Sequence, residues 1–152
     1  MRINSDNRLS YVEFIFQGSS TKDDFKIAGR QDLRLSVEVS CDGFRGQNSS
    51  IWFGQDEIQG FLKEMQVLEK ERKGSAQLVS LGYPSEHVEL DLQIYSTDNM
   101  GHFALKCDLQ KIRYSSRQEL SPLKVSAVFN LDSGDLVNIM SEFESLFDFK
   151  AH

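Results

Sequence analysis

The sequence predicts an α+β fold: a curved, mainly antiparallel β-sheet with one central helix and one C-terminal helix packed on it. A single domain spanning residues 1–152 is expected. Three observations lead there. Several segments alternate apolar and polar side chains with period two, the mark of half-buried strands. Two others carry apolar residues at helical spacing, one mid-chain and one near the end. No linker, low-complexity stretch or internal repeat interrupts the pattern, and there are only two prolines. Consecutive antiparallel strands with helices among and after them define the class.

Each element follows from its own pattern. Residues 11–17 set Val12, Phe14 and Phe16 against Tyr11, Glu13, Ile15 and Gln17. Residues 33–39 point Leu33, Leu35, Val37 and Val39 one way and Arg34, Ser36 and Glu38 the other, which predicts one buried face and one wet face. The following CDGFRGQNSS holds turn residues at both ends, with Phe44 marking a short strand between them. Ile51, Trp52 and Phe53 form a short apolar run.

The first helix is expected from Asp56, as cap or first-turn residue. Its apolar stripe is Ile58, Phe61, Leu62, Met65 and Leu68, and Gly74 is its left-handed stop. Strands are then expected over residues 76–81, 87–95 and 102–109, the last two joined by the hairpin loop STDNMG. If Tyr95 pairs with His102, Asp91 faces Lys106 across that ladder. Residues 123–131 form a further strand, buried through Leu123, Val125, Ala127 and Phe129. Asp132 or Ser133 caps the last helix, 135–147, with Leu136, Ile139 or Met140, Phe143 and Leu146 or Phe147 on its inner stripe.

Composition narrows the function. A chain of 152 residues buries roughly two thirds of its unfolded surface, so it needs no metal, disulfide or partner to fold. The N-terminus has no apolar signal region and no stretch approaches a membrane span, which predicts a cytoplasmic protein with reduced Cys41 and Cys107. The net charge is −6. Residues 51–110 hold five basic and ten acidic side chains, so the acidity lies in the middle of the chain. Nucleic acid is therefore disfavoured as a partner, and a basic protein partner is permitted, although mild acidity also serves solubility alone.

No catalytic apparatus emerges, and the chain is expected not to be an enzyme. His87, Glu89 and Asp91 fall at i, i+2 and i+4 of one strand and so share a face, where they suit a metal or acid–base group. The alternation of an amphipathic strand explains them equally well, and no cofactor or metal is expected. There is no G-x-S-x-G nucleophile motif, and DGFRG lacks the lysine and strand–helix setting of a phosphate loop. Glu69/Glu71 and Glu142/Glu144 do not share a helix face. Trp52, between Ile51 and Phe53, is expected to be partly buried. A small-molecule carrier would need a chamber lined by Phe14, Phe16, Phe103 and Phe129.

What remains is surface. The outward residues of the central hairpin are His87, Glu89, Asp91, Gln93 and Tyr95 on one strand and His102, Lys106 and Asp108 on the next, with Asp98 in the loop. Two readings compete: a solvated sheet face, or a docking face with Tyr95 as anchor and the carboxylates steering a basic partner.

The order of motifs resembles one known family. Ser49-Ser50-Ile51-Trp52-Phe53, the helix with Ile58, Phe61, Leu62 and Leu68, and then Gly74-Ser75-Ala76-Gln77-Leu78 look like the centre of the WapI-type immunity proteins. Leu90, Leu92, Ile94, Gly101-His102, Phe129, Leu131, Leu136 and Phe143 continue the likeness over roughly residues 30–150. The resemblance implies a small cytoplasmic bacterial protein that protects the producing cell by binding the C-terminal domain of a polymorphic toxin, often a basic nuclease. It defines no interface residues, and residues 1–30 are expected to lie outside it as variable packaging.

Overall fold

The computed structural model describes residues 1–19, 32–81 and 87–148. Their elements run β1 (Arg2–Asn4), β2 (Tyr11–Ser19), β3 (Leu33–Cys41), β4 (Phe44–Phe53), α1 (Gln55–Glu71), β5 (Ser75–Leu81), β6 (Val88–Ser96), β7 (Phe103–Ser115), β8 (Gln118–Leu131) and α2 (Asp135–Asp148). All strand pairs are antiparallel, so the α+β expectation holds. The strands divide, however, into two sheets, β1-β2-β3-β4 and β5-β6-β7-β8, each followed in the chain by a helix.

The division follows from the local chemistry. Asp42 and Gly43, with φ of 49° and 85°, make a two-residue hairpin turn that suits the right-handed twist of the flanking strands. Cys41 therefore pairs with Phe44, and β4 runs unbroken for ten residues instead of as two short pieces. A bulge opposite Leu35–Val37 takes up the extra residue. Helix α1 then carries the chain away from the first sheet before β5 can join it.

The predicted inner faces are buried. Val12 and Phe14, the alternate residues Leu33, Leu35, Val37 and Val39, and the five stripe residues of α1 all enter one contiguous apolar cluster with Leu90, Leu92, Ile94 and Phe143. Each such side chain contributes roughly 2 kcal/mol relative to exposure. Phe143 of α2 lies edge-on to Phe14 of β2 at 5.3 Å and to Phe61 of α1 at 5.1 Å, joining both helices to the first sheet. The proposed aromatic chamber does not form: Phe14, Phe103 and Phe129 are packed into the core, while Phe16 is exposed. Cys107 is buried too, and burial pushes its thiol up to about 12. Both cysteines are free.

Where the sheets meet they touch closely. A Cβ on Gly46 of β4 would stand 2.3 Å from a Val125 methyl of β8, so only glycine fits there. Buried Asn48 donates through Nδ2 to the Gln110 carbonyl of β7 at 2.8 Å, and Ser80 Oγ of β5 donates to the Trp52 carbonyl of β4 at 2.6 Å.

Several expectations are corrected. Of the three residues expected on the wet face of β3 only Arg34 is exposed, because Ser36 and Glu38 are buried beneath longer neighbours on β2 and β4. Gln47 Nε2 donates to Ser36 Oγ at 2.9 Å. Glu38 accepts the Tyr11 hydroxyl at 2.5 Å and the Arg45 guanidinium at 2.8 Å. The C-cap of α1 is Arg72 (φ 54°), whose amide caps the Leu68 carbonyl, and Gly74, also at positive φ (109°), follows two residues later. Arg72 also reaches the Ser133 carbonyl and overlies Phe103, contacts that glycine could not make. Trp52 is 42% exposed on the outer face of the first sheet, with the Arg34 guanidinium over its ring. Leu123 is 54% exposed, because β7 and β8 extend well past the core.

Candidate protein interface

The second sheet turns its inner face to the core and its outer face to solvent, and cross-strand pairing builds that face row by row. Tyr95 lies between Ser75 and Ala104. Gln93 lies between Gln77 and Lys106, and Lys106 is followed by Val128. Asp91 lies between Val79 and Asp108, and Asp108 is followed by Ser126. The register is two residues away from the expected one, so Asp91 faces Asp108 instead of Lys106. The turn keeps its expected six residues but sits one position later, at 97–102 instead of 96–101.

The like-charge pair is relieved locally. Asp91 Oδ1 accepts Gln77 Nε2 at 2.8 Å, and Asp108 sits between the ammonium groups of Lys106 (4.0 Å) and Lys124 (3.9 Å). The Gln77 amide donates in turn to Glu64 of α1 at 2.8 Å, which blunts the open edge of β5.

Glu89 differs from its neighbours. A register shift in β6, where Leu90 pairs with Ser80 but Val88 with Leu81, makes it a bulge residue. It is half-buried, and burial pushes its carboxyl above the ordinary value of 4.5. Among the described residues it has no hydrogen bond or ion pair. A carboxylate that has lost hydration without gaining a partner is a ready contact for an incoming cation.

Asp98 and His102 lie at the far end of the face, in the turn between β6 and β7. The Asp98 carboxylate accepts the amides of Met100 and His102 at 2.7 and 3.3 Å and contacts His102 Nδ1 at 2.5 Å. The His102 side chain foremost, then the Met100 amide, hold Asp98 below the usual carboxylate range. With Gly101 at φ +87°, this Asx turn places the six-residue loop at 97–102, one position later than expected, which shifts the register by two. These two residues organise the turn, whereas Asp91, Gln93, Tyr95, Lys106 and Asp108 share the sheet face, with Glu89 adjoining them at the bulge.

The bulge also breaks the alternation that was to align His87 with Glu89 and Asp91, and His87 precedes the strand. Among the described residues no group of three or more His, Cys, Asp or Glu side chains is placed to hold a metal ion. No helix is long and apolar enough to cross a membrane.

Gln77, Lys124, Ser126 and Val128 belong to the face and were not foreseen. Their own segments give no hint of it, because membership depends on which strands pair.

With the geometry in place, the chain can be set against known proteins. The model of the immunity protein WapI-like family matches residues 2–148. No curated protein and no solved structure matched. The match begins at residue 2 instead of near residue 30 and takes in β1 and β2, whose Ile3, Val12 and Phe14 are core residues, so residues 1–30 do not lie outside the resemblance. The chain belongs to the WapI-like immunity protein family.

Proposed function

We propose that the chain is an immunity protein that binds and neutralises the C-terminal domain of a cognate polymorphic toxin by surface complementarity, without chemistry of its own. Membership of the family carries this reading. The docking face is the outer surface of the second sheet, with Glu89, Asp91, Gln93, Tyr95, Lys106 and Asp108 in contact and the Asp98–His102 turn at its margin. The single structural observation behind that choice is Glu89, a half-buried carboxylate that a toxin lysine or arginine would satisfy. The partner is a basic domain, of which a nuclease is the foremost example. The net charge of −6 favours its approach.

Co-expression with the C-terminal domain of the toxin encoded beside this chain tests the reading. Growth should be rescued, and Glu89→Lys with Asp91→Lys should slow association by roughly tenfold at low salt. Growth arrest in the presence of abundant, folded protein would contradict it.

A further inference from the structure

Strands β7 and β8 run on together past the core. The last buried pair member on β7 is Leu109, opposite half-buried Val125. Beyond it every described side chain from Arg113 to Lys124 is exposed, so this hairpin arm has solvent on both faces. Tyr114 (59% exposed), Leu120 (37%) and Leu123 add apolar surface there that covers no core.

A hairpin with no core beneath it is marginal unless something stiffens it. Here the β8 bulge opposite Lys111–Arg113 is held by the Arg113 guanidinium, which donates from Nε and Nη2 to the Ser121 carbonyl at 3.3 and 3.0 Å. Ser116 and Arg117, at φ 47° and 72°, form a two-residue turn of the twist-matched kind. Two non-glycine residues in the left-handed region are costly, so the arm is a shaped element and not a slack loop.

The charge of the arm opposes that of the chain. Residues 111–124 hold four cations and one acid, net +3, within a chain of net −6. Lys111 and Arg117 have no ion pair among the described residues. At the base, a cavity of about 210 Å³ between β4 and the arm is lined by Arg45, Lys111 and Lys124 together with apolar Leu123 and Val125. Exposed tyrosine and arginine are typical anchors of a protein interface. Phosphate is the weaker match, because the carboxylates of Asp108 and Glu89 lie on the sheet face from which the arm extends, and their field repels a polyanion.

We propose that the arm, with the cationic cavity at its base, is a second docking element that enters a carboxylate-lined groove of the toxin domain. The proposal rests on the immunity reading above and adds to it. The toxin would meet acid on the sheet face and base on the arm, and this bipolar pattern would fix its orientation.

The test uses the full chain and a catalytically inactive form of the neighbouring toxin domain. The variant combines Lys111→Glu, Tyr114→Ala and Arg117→Glu, and leaves the Arg113 and Lys124 contacts in place. Its unfolding midpoint should stay within about 2 °C of the parent's, as for surface changes generally. Affinity should fall on the order of 100-fold. Reversing a groove carboxylate of the toxin to lysine should recover part of the loss. Should the triple variant not fold, Arg117→Glu alone carries the test, with a loss of roughly tenfold expected. Parent-like affinity in a folded variant overturns the arm proposal and leaves the immunity reading intact. No binding by the unaltered chain overturns both. Arm-dependent binding to labelled duplex DNA, or an arm-dependent dimer of the free chain, would assign the arm to phosphate or to a second copy and also overturn the proposal.

Discussion

Glu38 shows how one buried carboxylate organises a sheet face. The Arg45 guanidinium foremost, and the Tyr11 hydroxyl next, hold its carboxyl below the ordinary value of 4.5. Arg2 adds to the cluster by pairing with Glu13 at 3.1 Å and stacking over the Tyr11 ring at 3.9 Å. Folding therefore gains from the ionised Glu38 above pH 4.5, and that gain disappears as pH falls through the depressed folded value. Glu38→Gln should cost on the order of 1 kcal/mol near neutrality, in keeping with the loss of charge-assisted hydrogen bonds partly open to solvent. Denaturant titrations of both proteins at neutral and strongly acidic pH check this: the difference should vanish in acid, and a constant difference would mean that packing, not charge, is at work. Glu89 behaves oppositely. Its carboxyl is raised by burial, so its charge opposes folding above the ordinary value, a cost that a bound cation would relieve.

At the scale of elements, two contacts decide whether the layers close. Phe143→Ala removes the ring that bridges Phe14 and Phe61 and should cost roughly 3–5 kcal/mol. Gly46→Ala sets a methyl against Val125 at the sheet contact and should cost about 1–3 kcal/mol through overpacking. Thermal unfolding of both variants measures these effects, and a neutral Gly46→Ala would show that the sheets part there without cost. The stripe of α1 and the alternation of β3 are legible in the sequence because each packs one face on the core. The β7–β8 arm is not, since a strand with solvent on both faces has no alternation to read, and its Ser116-Arg117 turn contains no glycine. The β6–β7 register likewise escapes sequence reading, because the position of that turn, one residue later than expected, is set by the hydrogen bonds of the Asp98 side chain. Asp91, Gln93, Tyr95, Lys106 and Asp108 share the sheet face by simple alternation, and Glu89 adjoins them at the bulge. Gln77, Lys124 and Val128 join them only through pairing between strands.

Across the whole molecule, two four-stranded sheets and two helices enclose a filled core, and the distinctive chemistry lies outside it. The acidic sheet face and the basic arm adjoin each other at Lys124, which pairs with Asp108 at 3.9 Å. A surface so arranged suits recognition, and the proposed function is neutralisation by stoichiometric binding. The most direct measurement titrates purified chain into the active C-terminal domain of the neighbouring toxin and follows both toxin activity and toxin mass. Activity should fall linearly to zero at one equivalent, with the toxin recovered intact and active after denaturing separation and refolding. Activity that persists in excess chain, or a toxin cleaved or modified by substoichiometric amounts of it, would contradict the account.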